Sequence, residues 1–160
     1  MGLADMLVKL GITYGEKEAI DLSDKIGFAM ADTAIAQSAL LAKDQGAYPE
    51  CVTEKVMNTP YFLRNTSKPT RELVKKYGLR NSQLLTIAPT GTLSTMLGIS
   101  GGIEPIFANY YERKTESLHG SDVYYKVYTK IVEQYMKEHK LTDDRNLPSY
   151  FVTAMTLDYR

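Results

Sequence analysis

Four hydroxyl side chains and one glycine are gathered in the segment Ala88-Pro89-Thr90-Gly91-Thr92-Leu93-Ser94-Thr95, which directly follows a short apolar run. Where such a segment opens a helix, the first N–H groups lack intrahelical acceptors and lie at the positive end of the helix dipole. Small residues let the backbone approach phosphate oxygens, and hydroxyl groups donate further hydrogen bonds. The segment therefore predicts a phosphate-binding site, with the closest approach at Gly91.

The same segment differs from the P-loop that binds nucleoside triphosphates. The pattern GxxxxGK[ST] is missing and no lysine lies within ten residues of Gly91, so a triphosphate with magnesium would not be held by that mechanism. A cradle without charge fits a diphosphate better. Because a threonine-rich turn is also typical of an ordinary helix N-terminus, the segment alone leaves a plain helix cap open as the alternative.

Two helices are predicted before this segment from the spacing of apolar residues. The first covers residues 3–10 and is ended by Gly11, as is usual for a left-handed residue after a helix. The second is long, from about residue 16 to 45, and contains many alanines, so it is built to be covered closely on more than one side. Its predicted core face consists of Leu22, Ile26, Ala29, Thr33, Ala36 and Leu40.

A further helix and a connecting segment lie between the long helix and the hydroxyl-rich segment. Ser67 or Thr70 is predicted to cap a helix that ends at Gly78, with a proline in its first turn. Residues 47–67 contain two prolines and no sustained period. This composition predicts a connection without an element of its own.

Two strands are predicted, one before and one after the hydroxyl-rich segment. Residues 83–88 form a nearly continuous apolar run closed by a proline, which is typical of a parallel strand buried on both faces, although periodicity alone leaves a helix open. The phosphate-binding segment would then lie at the carboxyl end of that strand. A second strand is predicted within residues 106–111, and a helix is predicted from about residue 122 to 139.

Charge and hydropathy exclude several classes of protein. The 160 residues contain 19 Lys plus Arg and 19 Asp plus Glu, so no net positive charge favours binding to nucleic acid or an anionic membrane. The longest uncharged stretch, residues 81–103, is too rich in glycine, serine and threonine for a membrane helix. Asp5 stands where a secretory signal needs positive charge, which predicts a cytoplasmic protein.

Cysteine and histidine offer little further chemistry. Cys51 is the only cysteine, so the chain has no internal disulfide, CxxC centre or thiolate-rich metal site. Cys51 is interpreted as a partly buried packing residue. His119 and His139 have no carboxylate at metal-ligand spacing, and no metal is predicted.

Three ordered blocks carry a resemblance to a known family. The runs Gly78-Leu79-Arg80-Asn81-Ser82, Leu85-Thr86-Ile87-Ala88-Pro89-Thr90-Gly91-Thr92-Leu93-Ser94 and Gly102-Ile103-Glu104-Pro105-Ile106-Phe107-Ala108 resemble the catalytic subunit of ribonucleotide reductases. The similarity extends over essentially the whole chain. Gly91 with Leu93-Ser94, and Ser100-Gly101-Gly102 before Ile103, are closer to the adenosylcobalamin-dependent branch than to the iron-dependent one.

The resemblance implies a place in a larger enzyme. The family fold is a ten-stranded α/β barrel, of which residues 1–160 would be a single partial domain, helix-rich and from the later half. The family's loop after a barrel strand holds the diphosphate of the ribonucleotide substrate. On this sequence the loop residues, and hence the expected substrate contacts, are Pro89, Thr90, Gly91, Thr92 and Leu93, with Ser94 as a neighbour.

The family's radical chemistry has no counterpart in these residues. Family members form a cysteine thiyl radical, assisted by an Asn-Pro-Cys-x-Glu block, and two further cysteines reduce the sugar. The chain contains no Asn-Pro-Cys sequence, so no catalytic residue is assigned and the chain alone is expected to be inactive. The expected partners are a ribonucleoside diphosphate and the remainder of the reductase, a cytoplasmic homodimer without nucleic-acid or membrane partners.

Two alternatives remain open at the level of sequence. The chain could belong to an iron-dependent (class I) large subunit in place of the adenosylcobalamin-dependent (class II) branch. It could also be a self-standing helical binding module in which the threonine-rich loop is a plain helix cap.

Overall fold

The computed structural model describes residues 1–115, 120 and 122–158, and the chain divides into two compact units. Unit 1 comprises Met1–Ile20 and Ile87–Arg160, and unit 2 comprises Asp21–Thr86. His119 lies outside the described residues. In chain order the elements are α1 (Leu3–Leu10), α2 (Lys17–Gln45), α3 (Thr53–Met57), α4 (Pro60–Asn65), α5 (Lys68–Tyr77), α6 (Gly91–Leu97), β1 (Tyr110–Thr115), β2 (Val123–Tyr128), α7 (Lys130–Glu138) and a 3-10 turn (Asp144–Asn146).

The core of unit 2 forms where α2 meets the side chains of α4 and α5. Its buried residues are Ile35, Ala39, Phe62, Val74 and Leu79. The predicted core face of α2 is wrong, because Ala29 and Thr33 are exposed and Leu40 is 40% exposed. The side of the helix that carries small side chains is buried instead, because alanines let Phe62 and Val74 approach the α2 backbone. The buried residues of this side are Ala31, Ile35, Ser38, Ala39 and Ala42.

Residues 47–67 contain two short helices, so the prediction of a plain connection is wrong. Thr59 caps α4 by accepting the Phe62 N–H at 3.2 Å, and Pro60 occupies the first turn, where no N–H partner is needed. Helices of five and six residues are too short to show an apolar period. The Thr59-Pro60 pair is the signal that was available in the sequence.

The start and end of α5 follow the sequence prediction. Ser67 is the N-cap and its hydroxyl accepts the Thr70 N–H, while Gly78 ends the helix with a positive φ of 71°. Asp32 of α2 accepts the Ser67 N–H at 2.8 Å. Burial acts to raise the pKa of Asp32, but hydrogen bonds from Ser67 and Thr70 and the charge of Arg71 outweigh it and hold this pKa below its usual value.

Unit 1 contains α1, α6, α7 and an antiparallel hairpin. Strands β1 and β2 pair from Tyr110↔Tyr128 to Thr115↔Val123. The buried cluster consists of Val132, Met136 and Phe151, with aromatic rings around it. The prediction of α1 with Gly11 as its C-cap is confirmed.

The helix predicted from residue 122 begins only at Lys130, because Val123–Tyr128 is a strand. Its valines and tyrosines favour a paired strand, and β1 supplies backbone partners that a single-sequence period does not reveal. The strand predicted within residues 106–111 is shifted, since β1 begins at Tyr110.

Residues 83–88 are not a strand in this structure. They are exposed, including Ile87 at 70%, and within the described residues no other strand pairs with them. A parallel strand needs neighbours on its edges and layers on both faces, and the described chain supplies neither. The described part of the molecule is thus helix-rich with one two-stranded sheet. No helix in the described ranges combines the length and apolarity needed to cross a membrane.

Candidate functional site

The hydroxyl loop, defined as residues 89–94, runs into the first turn of α6. Ser94 is buried, and its Oγ donates to the Gly91 carbonyl at 3.0 Å, as does Thr95 Oγ1 at 2.9 Å. The Ser94 N–H donates to the Thr90 carbonyl at 2.8 Å. These bonds fix the inner side of the turn and place Ser94 beneath Gly91.

Thr90 adopts a left-handed conformation with φ 51° and ψ 29°. This conformation costs a residue with a Cβ about 1–2 kcal/mol, so the surrounding contacts must offset it. Thr90 Oγ1 accepts the Gly102 N–H at 3.0 Å and makes no capping bond to α6. The hydroxyl of Thr90 is therefore bonded to Gly102, in the segment after α6, and the start of α6 has no side-chain cap.

The backbone amides of Gly91, Thr92 and Leu93 have no hydrogen-bond acceptor among the described residues. All three residues are exposed, and a Cβ added at Gly91 would meet nothing within 4 Å. N–H groups without an acceptor at a helix start bind an anion most readily where the anion can approach the backbone closely. The structure thus brings Thr90, Gly91, Thr92 and Leu93 together as an open turn of donors.

The segment after α6 supports this turn from below. Ser100 is tied to α1, because its N–H donates to Asp5 Oδ2 at 2.7 Å and its carbonyl accepts the Gly2 N–H at 2.9 Å. A Cβ at Gly101 would lie 3.1 Å from the Pro89 carbonyl oxygen, which is tighter than most Cβ contacts, so glycine favours this close approach of the two backbones. Sequence reasoning missed these supporting residues, since nothing in their types alone pairs Asp5 with a position 95 residues later.

The histidine and the cysteine that the structure describes both make packing contacts. Tyr135 and His139 stack with ring centroids 3.8 Å apart, and the His139 Nδ1 lies 3.0 Å from the Tyr135 carbonyl. Cys51 Sγ accepts the Leu79 N–H at 3.4 Å beside the unit 2 core. Within the described residues, no three His, Cys, Asp or Glu side chains are grouped as metal ligands would be.

The hairpin carries a charge cluster of its own. Lys126 Nζ lies 3.1 Å from Asp144 Oδ1 and 3.8 Å from the centroid of the Tyr110 ring. The hydrogen bond to Asp144 raises the pKa of Lys126, and burial together with the Asp144 charge raises the pKa of Tyr128. Both groups are therefore held in their ordinary protonation states, as expected for a structural cluster.

Comparison with known proteins places the chain in a family. The family model described as "Ribonucleotide reductase, barrel domain" matches residues 1–158. The ribonucleoside-diphosphate reductase subunit alpha of Chlamydia pneumoniae is 34% identical over 138 residues, which covers 73% of this chain and 13% of that protein.

Two further relatives are named as vitamin B12-dependent ribonucleoside-diphosphate reductases. The protein from Mycobacterium tuberculosis is 33% identical over 119 residues, covering 74% of this chain and 15% of its own length. The protein from Thermoplasma acidophilum is 37% identical over 113 residues, covering 71% of this chain and 13% of its own length.

The chain belongs to the ribonucleotide reductase family, since residues 1–158 match the model of the family's barrel domain. It spans about one seventh of the length of the curated relatives that it matches.

Proposed function

We propose that this chain forms the part of a ribonucleotide reductase barrel that holds the diphosphate of a ribonucleoside diphosphate substrate. The hydroxyl loop supplies the contacts, with Pro89, Thr90, Gly91, Thr92 and Leu93 around the phosphates and Ser94 supporting them from within. The observation that carries this function is the set of three exposed amides, at Gly91, Thr92 and Leu93, that have no acceptor in the described chain. The reaction of the whole enzyme is the reduction of ribonucleotides to deoxyribonucleotides, the precursors of DNA.

The chain contributes binding and orientation to that reaction. Cys51 is its one thiol, and its sulfur is engaged beside the apolar cluster of unit 2. Radical formation and reduction of the sugar need several thiols in the family, so those groups belong to other parts of the enzyme. We therefore expect the 160-residue chain to bind phosphate without reducing a nucleotide.

We propose adenosylcobalamin as the radical source of the whole reductase. The B12-dependent relatives support this cofactor, as does the resemblance at Gly91 with Leu93-Ser94 and at Ser100-Gly101-Gly102 before Ile103. We expect the cofactor to be bound by the full-length enzyme and not by this chain alone. An iron-dependent subunit is the competing source, and reductase activity with adenosylcobalamin alone against activity with a separate iron subunit distinguishes the two.

The exposed residues 83–88 fit a role as a barrel strand whose neighbours belong to the rest of the enzyme. We propose that this segment pairs within the ten-stranded barrel and presents the hydroxyl loop at its carboxyl end. The whole reductase is proposed to be a cytoplasmic homodimer. The zero net charge of this chain gives it no electrostatic attraction to nucleic acid or anionic membranes.

The substitution Gly91→Val tests phosphate binding. No atom lies within 4 Å of a Cβ at Gly91, so valine fits the fold and fills the space in front of the amides. In the reductase that contains this chain, we expect the Kd for a ribonucleoside diphosphate to rise at least about tenfold. The matched control is Gly27→Val on α2, where a Cβ also meets nothing within 4 Å and affinity should stay unchanged.

Unchanged affinity in Gly91→Val would contradict the proposed function. It would favour the alternative of a helical module in which residues 89–94 simply begin α6. Calorimetric titration measures both affinities, and the melting temperatures of both variants show that each is folded.

A further inference from the structure

Asp5 is the one buried acidic side chain among the described residues, with 8% of its surface exposed. It lies in the first turn of α1, where the positive end of the helix dipole favours a carboxylate. Its Oδ2 accepts the Ser100 N–H at 2.7 Å. A buried carboxylate needs such bonds to offset its lost hydration, so the position of Ser100 is tied closely to Asp5.

The start of α1 holds both backbone groups of Ser100. The Gly2 N–H donates to the Ser100 carbonyl at 2.9 Å, while the Ser100 N–H donates to Asp5. The side chain takes no part, because Ser100 Oγ is buried without a partner among the described residues. Asp5 therefore fixes the course of the backbone at Ser100.

The two residues after Ser100 meet the hydroxyl loop directly. A Cβ at Gly101 would lie 3.1 Å from both the Pro89 carbonyl oxygen and Ser94 Oγ. The Gly102 N–H donates to Thr90 Oγ1 at 3.0 Å. If Ser100 moves, Gly101 and Gly102 move with it, and the contacts that hold Thr90 change. Thr90 is the left-handed residue whose hydroxyl makes no capping bond to the α6 amides.

We infer that Asp5 is a positioning residue for phosphate binding: through Ser100 it holds Gly101 and Gly102 beneath the hydroxyl loop and keeps Thr90 left-handed. The inference rests on the proposed function, since it concerns how that loop is made ready for its ligand. When this support is lost, Thr90 relaxes to an ordinary backbone conformation. Part of the binding free energy is then consumed in reordering the loop, which weakens affinity.

The test uses Asp5→Ala, Asp5→Asn and Ser100→Ala in the reductase that contains this chain. Affinities are measured for a ribonucleoside diphosphate and for the ribonucleoside without phosphate. Asp5→Ala should raise the Kd of the diphosphate about tenfold, which corresponds to 1.4 kcal/mol, and leave the ribonucleoside unaffected. Asp5→Asn retains an oxygen acceptor and should stay within about threefold of the unchanged protein.

The control Ser100→Ala removes a hydroxyl and leaves the backbone bonds to Asp5 and Gly2. It should bind the diphosphate as the unchanged protein does. A folded Asp5→Ala variant with unchanged diphosphate affinity would overturn the inference, and so would an equal loss for both ligands, which indicates general damage to the site.

Gly91→Val separates this inference from the proposed function. If Gly91→Val binds the diphosphate normally, the phosphate site itself is refuted; if it loses affinity while Asp5→Ala does not, only the role of Asp5 is refuted. If Asp5→Ala does not fold, the variant Gly101→Ala tests the inference in its place. Its added Cβ would crowd the Pro89 carbonyl oxygen and so disturb the same contact between residues 100–102 and the hydroxyl loop. Selective loss of diphosphate affinity in Gly101→Ala supports the inference, and normal affinity overturns it.

Discussion

Thr90 combines two features that seldom occur together in a β-branched residue. It is left-handed, and its hydroxyl accepts a hydrogen bond from a glycine twelve positions later. A hydroxyl has one donor and two acceptor positions, so Thr90 can still donate to a ligand while it holds Gly102. At the scale of single residues, the proposed site depends on which groups are hydrogen-bonded within the protein and which remain available to a phosphate.

Thr90→Val tests the internal half of this arrangement. Valine keeps the shape of threonine and leaves the Gly102 N–H without its acceptor, so we expect a loss of about 1–2 kcal/mol of unfolding free energy. Hydrogen exchange of the Gly102 amide should become faster. Thr92→Val is the matched control: Thr92 is exposed with no capping role, and its effect should stay within about 0.5 kcal/mol. Equal effects of the two variants would contradict this role of Thr90.

The residue types of the loop led to the prediction of an anion site, which stays a prediction, but they gave no indication of the residues that support the loop. Hydroxyls beside Gly91 follow a local rule about helix starts. The bond from Asp5 to Ser100 joins residues 95 positions apart, and no local pattern encodes it. The Ser94 hydroxyl, in contrast, is held locally by its bond to the Gly91 carbonyl three residues earlier.

At the scale of elements, the predictions that succeeded rest on residues that begin or end a helix. Gly11, Ser67 and Gly78 mark the helix ends that the structure contains. The predictions that failed concern elements whose structure depends on another part of the chain that pairs or packs with them. Val123–Tyr128 is a strand because β1 pairs with it, and the apolar residues 83–88 lack a partner in the described chain. The buried side of α2 was predicted wrongly for a similar reason, because it is the side whose Ile35 and Ala39 pack with Phe62 and Val74.

The start of α5 should show a defined pH dependence through Asp32. The pKa of Asp32 is lowered in the folded state, so the ionised carboxylate stabilises unit 2 fully above the unfolded value of about 3.9. This stabilisation is lost as pH falls below that value and through the folded pKa. Asp32→Asn should therefore be less stable than the unchanged protein near neutral pH, and the difference should shrink below about pH 4.

Urea unfolding at several pH values measures this difference. The matched control is Asp24→Asn, which removes an exposed ion pair with Arg64 and should change stability by less than about 1 kcal/mol. A constant gap between Asp32→Asn and the unchanged protein from neutral to strongly acidic pH would contradict this role of Asp32.

At the scale of the whole molecule, unit 1 exposes several large apolar side chains. Around and after the loop, the exposed side chains include Ile87 at 70%, Met96 at 77% and Phe107 at 74%. We expect these side chains to lie on a surface that a partner covers. The proposed partner is the remainder of the barrel, which would also supply neighbours for residues 83–88.

The 160-residue chain on its own is therefore expected to self-associate. Sedimentation velocity should show a weight-average mass that rises with concentration, and the melting temperature should depend on concentration. The double variant Met96→Lys, Phe107→Lys places charges on the exposed surface and should reduce the association. A chain that stays monomeric at all concentrations, with a sharp and concentration-independent transition, would argue against an uncovered barrel surface.

The most direct test of phosphate binding is the structure of the reductase that contains this chain with a bound ribonucleoside diphosphate. We expect phosphate oxygens at about 2.7–3.2 Å from the amide nitrogens of Gly91, Thr92 and Leu93. Phosphates bound elsewhere, or those three amides donating to protein acceptors while the ligand is present, would contradict the function proposed for the loop.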